Sequence, residues 1–241
     1  MATSLGLAHN DSISKDQNLF RELSLTYREF GRQAGVEMTA FRNPALPLFS
    51  EKSPEARAEI LRALGICVTI CERTVAQGYA INNSPALIWA GLKEFGLRPC
   101  SDTFGHITDD NVIEIHSGAG VQIFRNFAFY KYCSYTIEEL YCGLWHTLFE
   151  RDPEPVARCI EFLTDVYTGK ITRTVAMDVP PHSIKEIFSE FKYEVELALH
   201  WGAPLYGEGT STPKATIVIA SARLLNVFNH QHHPMELHAV T

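Results

Sequence analysis

The residues most able to do chemistry in this 241-residue chain are its ten histidines and six cysteines. His116 lies two positions after Glu114, His182 follows Pro180-Pro181 near Asp178, and His146 follows Trp145. A histidine beside a carboxylate can act as a general base, so a small enzyme built on His116, His146 or His182 is one expectation. Such an enzyme must also bring a second titratable group and an oxyanion donor into one cleft. No Gly-x-Ser-x-Gly elbow, P-loop, His-Glu-x-x-His or kinase glycine pattern supplies them. The glycine-rich YGEGTSTPK lacks the strand-to-helix setting of a phosphate loop and reads as a hairpin turn. The leading expectation is a protein that is not an enzyme.

The cysteines, at 67, 71, 100, 133, 142 and 159, form no C-x-x-C pair and match no zinc spacing. They read as reduced thiols that behave as small buried hydrophobes. Cys67 and Cys71 share one helix face, which is already an apolar stripe. The C-terminal NHQHHPMELH places His230, His232, His233 and His238 in an interrupted tract that reads as a solvated tail. No metal site is expected.

Composition narrows the partners. With 46% hydrophobic and 20% charged residues the chain has the means to fold around a core. The formal net charge of −7, with no long Lys/Arg block, argues against direct contact with nucleic acid. No apolar run reaches membrane-spanning length, and MATSLGLAHNDS has neither the basic nor the apolar part of a secretion signal. The expectation is an intracellular protein, cytoplasmic or nuclear, with no membrane contact.

The elements that must position these residues fall into two textures. Residues 1–14 are small and polar and are expected to be disordered. Residues 15–99 carry helical periodicity: Leu19, Leu23, Tyr27 and Phe30 in a helix from Lys15 to about Phe41, then an extended connector NPALPLF. A helix starts at Ser53-Pro54, with Ile60, Leu61, Leu64, Cys67, Val68, Cys71 and Val75 on its apolar face, and another covers SPALIWAGLKEFGL. After Pro99 the pattern alternates. DNVIEIHS and VQIFRN form a hairpin, short helices follow, and EPVARCIEFLTDVYTGK is a longer amphipathic helix. ITRTVAMDV, FKYEVELALHW and KATIVIASARLL read as strands. The order predicts an α+β fold: an N-terminal helical region, then a five-stranded antiparallel sheet with helices on one face. Residues 227–241 form the histidine-containing tail.

One stretch, NFAFYKYCSYTIEELYCGLWHTLFERD, is denser in aromatics than a surface helix needs. Thr136 can cap a helix with Glu139 closing a capping box, which accounts for two exposed carboxylates, Glu138 and Glu139. With Asn126 and Phe129 before it, SYTIEEL (Ser134 to Leu140) and GLWHTLFERDPE resemble a PAS domain over residues 108–226. Ser134 stands where that family has Gly, Gly143 comes one residue late, and PPHSIKEIFSE is an insertion before the third strand.

The resemblance implies a sensory or regulatory protein, part of a transcriptional or signalling system, whose PAS-like domain binds a small apolar ligand or a protein partner. Its implied pocket is lined by Phe124, Phe129, Cys133, Tyr135, Leu140, Trp145, Leu148, Ile160, Leu163 and Val195, with Arg125, Tyr130 and His146 as orienting polar groups. For any one of these residues a place in the core is the plainer explanation. A flavin photoadduct is not expected, because Trp145 occupies the position of the reactive cysteine and Cys142 falls three residues early. Haem is not expected, because the long helix from Pro155 to Gly169 contains no histidine. No other cofactor is named. The resemblance also implies a homodimer or hetero-partner held through the sheet face and the N-terminal helix, with KATIVIASARLL as an exposed apolar face. A dimerisation module without a ligand is the alternative.

Overall fold

A computed structural model describes residues 4–118, 122–143, 145–189 and 191–228, with side chains from Ser14 onward except those of Trp145 and His146. Helix α1 spans Ser4–Gln33, so it begins ahead of Lys15, where disorder was expected, and ends ahead of Phe41. Phe20, Ser24 and Tyr27 recur at spacings of four and three on its buried face. Gly35, at φ 75°, takes the left-handed conformation that ends it.

The connector NPALPLF is not wholly extended. Pro47–Ser50 forms a short helix, α2. Leu46 before it is left-handed at φ 50° and fully buried, and the proline after it keeps it out of the right-handed helical region. Phe49 on α2 packs against Phe20, with ring centroids 4.7 Å apart. Helix α3 (Pro54–Ala76) starts as its sequence predicts: Ser53 accepts a hydrogen bond from Ala56 N and Pro54 occupies the first turn. Helix α4 (Ser84–Glu94) is capped by Asn83.

The strands are β1 (Leu97–Arg98), β2 (Val112–Ser117), β3 (Gln122–Arg125), β4 (Phe149–Arg151), β5 (Val175–Ala176), β6 (His182–Glu186), β7 (Lys192–Gly207) and β8 (Pro213–Phe228). Between β3 and β4 lie the short helices α5 (Phe127–Tyr130), α6 (Ile137–Cys142) and α7 (Trp145–Leu148), and α8 (Pro153–Tyr167) follows β4. Among the described residues they form one antiparallel eight-stranded sheet in the order β3-β2-β8-β7-β6-β4, with β1 and β5 also paired to β7. The α+β class stands, and the sheet is larger than five strands. ITRTVAMDV contributes only the short β5. The stretch taken as an insertion contains β6, whose buried residues alternate as His182, Ile184 and Glu186.

Helices cover both faces of the sheet rather than one. Paired residues of adjacent strands share a face. Phe124, Ile115, Ile217 and Ala203 therefore form one row, and Arg125, Glu114, Val218 and Gly202 the opposite row. Phe124 lies against Gly91 of α4, while Gly202 lies under Phe162 of α8. The N-terminal helices and the sheet share one hydrophobic cluster, from Phe20 and Leu64 through Ile115 to Ile217. This coverage buries Ile217 and Ile219, so the apolar face of β8 expected to be exposed is interior. Helix α1 likewise turns Phe20 and Tyr27 inward. No helix among the described residues is long and apolar enough to cross a membrane.

Candidate functional site

The SYTIEEL element is a fastening built from its own side chains. Thr136 accepts from Glu139 N at 3.1 Å and the Glu139 carboxylate accepts from Thr136 N at 2.7 Å, the capping box expected of this spacing. Ser134 donates from its backbone N and its hydroxyl to the buried carboxylate of Glu186. Tyr135 donates its hydroxyl to Leu148 O and accepts from Ile187 N at 3.0 Å and Phe188 N at 3.1 Å. Glu138, expected to be exposed, is buried and accepts from Phe49 N at 3.2 Å. Ile137 N and Glu138 N donate to Thr39 O and Ala40 O, so the segment after α1 turns this carboxylate away from water. Burial raises the Glu138 carboxyl above its ordinary value.

The aromatics that suggested a pocket largely fill one another's space. Tyr135 meets Phe149 edge to face at 5.7 Å, and Phe129 meets Tyr130 at 5.4 Å. The space between Phe129, Tyr132, Phe149, Ile184 and Val195 is about 30 Å³, room for little more than a water. Phe124, Tyr130, Cys133, Tyr135, Leu140 and Leu148 are buried, but Phe124 faces α4 across the sheet from Val195's surroundings. Ile160 is 55% exposed on the outer side of α8 and Leu163 is half-buried, so neither lines an enclosed space. The side chains of Trp145 and His146, and all of residues 229–241 with their histidines, lie outside the described residues.

A larger opening lies elsewhere. A cleft of about 670 Å³ is bounded by α3, the C-terminal end of α4 with β1, strand β3 and helix α6. Ala56, Ile60 and Ala63 of α3, Phe95, Leu97, Ile123 and Leu140 supply its apolar wall. Of the residues expected in a pocket, Arg125 and Leu140 line it. The signal that marks it in sequence is a second stripe on α3, small residues at 56 and 63 flanking Ile60, one turn away from the core stripe. Ile60 had been assigned to the core stripe, and it is half-buried.

Arg125 is the buried charged group of this cleft among several exposed or half-buried ones. It is 6% exposed, and its Nε is buried with no hydrogen-bond partner. Its Cζ stands 5.1 Å from the centroid of the Phe129 ring. Glu114, its partner across the β2–β3 pair, directs its carboxylate to His116 Nε2 at 3.2 Å. Burial pushes Glu114 up, but the His116 hydrogen bond and the charges of His116, Arg125 and Arg151 outweigh it and hold the carboxyl at about 2. Glu114 is thus an ionised carboxylate within reach of Arg125's charge, whereas the neighbouring Cys67 thiol, pushed up to about 11 by burial, and the Tyr141 and Tyr130 hydroxyls, also raised by burial, stay uncharged at neutral pH. Tyr141 donates to Cys67 Sγ at 3.1 Å.

No family model matches this chain, and no curated protein matches it by sequence.

His116 and His182 lie on strands β2 and β6, which β8 and β7 separate in the sheet. His116 does pair with the Glu114 carboxylate expected beside it, at 3.2 Å. His182 is buried with Nδ1 2.9 Å from Pro180 O, and Asp178 instead pairs with Arg158 at 2.7 Å. No cluster of three or more His, Cys, Asp or Glu suited to a metal occurs among the described residues. The cysteines are free, with Cys67, Cys71, Cys133 and Cys142 buried and Cys100 and Cys159 half-buried.

Proposed function

We propose that this chain is a non-catalytic sensory or regulatory protein that binds a small, mainly apolar molecule in the cleft between α3, β3 and α6. The cleft carries the reading: about 670 Å³ of space with an apolar wall, bordered by charged side chains that can orient a ligand, has the features of a small-molecule site. Its position supports a signalling role, since α3 belongs to the N-terminal helices and β3 is the edge of the sheet. A ligand seated there touches both layers and biases how they pack. The PAS resemblance draws support from the β2–β3 hairpin, the fully buried Asn126, the buried Phe129, the capped turn at Thr136 and the long α8 ahead of the last strands. Asn126 ties the hairpin to α4, accepting from Ile113 N and donating to Ser84 Oγ and Asn111 O.

The test is native mass spectrometry of the full chain purified from its own host, with an absorption spectrum of the same sample. A stoichiometric small molecule, released on denaturation and lost from Ala63→Trp, is the expected result. A protein that is colourless and carries no bound mass, and whose melting point no ligand library raises, would sink the reading.

A further inference from the structure

A buried cation with no counter-ion is costly, and folded proteins pair such groups or give them a ligand. Arg125 is only partly provided for here: Glu114 faces it and feels its charge but spends its hydrogen bond on His116. The Arg125 Nε has no partner, and the residue lines an open cleft. The other charges of the cleft make the same side positive. Lys52, Arg62 and Lys214 line it, and of its acids Glu94 is paired with Arg73 while Glu59 stands exposed. A guanidinium presents a planar fork that matches a carboxylate in two parallel hydrogen bonds. A singly charged headgroup is matched by the one buried arginine of the cleft.

We propose that the cleft takes an amphipathic monocarboxylate, its headgroup bonded to Arg125 and its apolar body laid along Ile60, Phe95 and Ile123. This rests on the ligand-binding reading above and names the class of ligand. Phe129 packs against the guanidinium, its ring centroid 5.1 Å from Cζ.

Calorimetric titration of decanoate and of decanol into the full chain tests it, using the wild type, Arg125→Gln, Arg125→Lys and Ala63→Trp, each checked for folding by its thermal melt. Decanoate should bind the wild type at least about tenfold more tightly than decanol, the range expected for one charge-assisted pair. Arg125→Gln should abolish that preference while decanol still binds, Arg125→Lys should keep part of it, and Ala63→Trp should lose both ligands. Equal affinity for the two probes in the wild type overturns the headgroup assignment even if no variant folds, and leaves the cleft a ligand site. A decanoate preference that survives Arg125→Gln overturns it as well. If neither probe binds, the proposed class is wrong, and the native mass measurement decides separately whether the cleft holds any ligand.

Discussion

The hydroxyl of Ser134 donates to the carboxylate of Glu186 across 2.6 Å, joining the turn before α6 to the end of β6. The same carboxylate accepts from Ser134 N at 2.7 Å, from Ser189 Oγ at 2.9 Å and from Tyr193 N at 2.9 Å. A carboxylate 1% exposed is tolerated because donors surround it. Glu186→Gln would turn an amide N–H toward those donors and leave some unsatisfied, lowering stability by about 3 kcal/mol. Urea unfolding measures this, and an unchanged midpoint would show that the network contributes little.

Tyr135 serves the same junction from the other side. Tyr135→Phe keeps the ring packed on Phe149 but removes the acceptor of Phe188 N and one of the two acceptors of Ile187 N, which keeps Leu148 O at 3.2 Å. The expected loss is about 1–3 kcal/mol. Hydrogen exchange at the Phe188 amide, just past β6, should quicken more than exchange within β6. Uniform quickening would point to a global effect instead.

At Gly202 the ring of Phe162 on α8 lies directly against the sheet backbone. A Cβ there would run into the ring of Phe162. Gly202→Ala must push α8 outward or force Phe162 from its rotamer, at about 1–3 kcal/mol. Pairing it with Phe162→Leu should recover part of the loss. A double variant no better than the single would disprove the steric account.

Glu114 makes stability depend on acid. Its carboxyl is held at about 2 against an ordinary 4.5, so as pH falls the unfolded chain takes up the proton first. The stability from this group is fully present above pH 4.5 and is lost progressively as pH drops toward 2. Glu114→Gln should be less stable at neutral pH, and its urea midpoint should fall less steeply through that window. Parallel curves for the two proteins would remove Glu114 from the acid response.

Thiol reactivity should follow burial. Burial raises Cys67 to about 11 and Cys142 to about 12, and raises Cys133 strongly. Alkylation of the native protein near pH 8, read by peptide mass, should label the half-buried Cys100 and Cys159 first. Early labelling of Cys67 would mean that α3 and α6 separate readily.

Features held within one or two turns of chain were legible without the structure. Ser53 with Pro54 started α3, Thr136 with Glu139 closed a capping box, and the alternation from Val112 to Ser117 marked a strand. In each the cause and its effect lie a few residues apart. The misreadings share a different cause. β6 was passed over because its short alternation sits among prolines and a charged turn, and only pairing with β7 and β4 makes it a strand. A carboxylate in a first helical turn is usually exposed, which is what the sequence predicts for Glu138, yet Thr39–Ala40 and α2 close over it.

The candidate site shows the same division. Arg125 was singled out from sequence as a polar group beside an aromatic run, and the apolar lining expected around it proved to be packed core. Packing is a three-body matter. Whether Phe129, Tyr135 and Phe149 enclose a void or fill it depends on distances between elements that no spacing encodes. The cleft joins residues near positions 60, 95, 125, 141 and 214, brought together by the folding of α3 against the edge of the sheet. Local chain chemistry thus set the elements and their caps, while long-range burial chose which charged group was left facing open space.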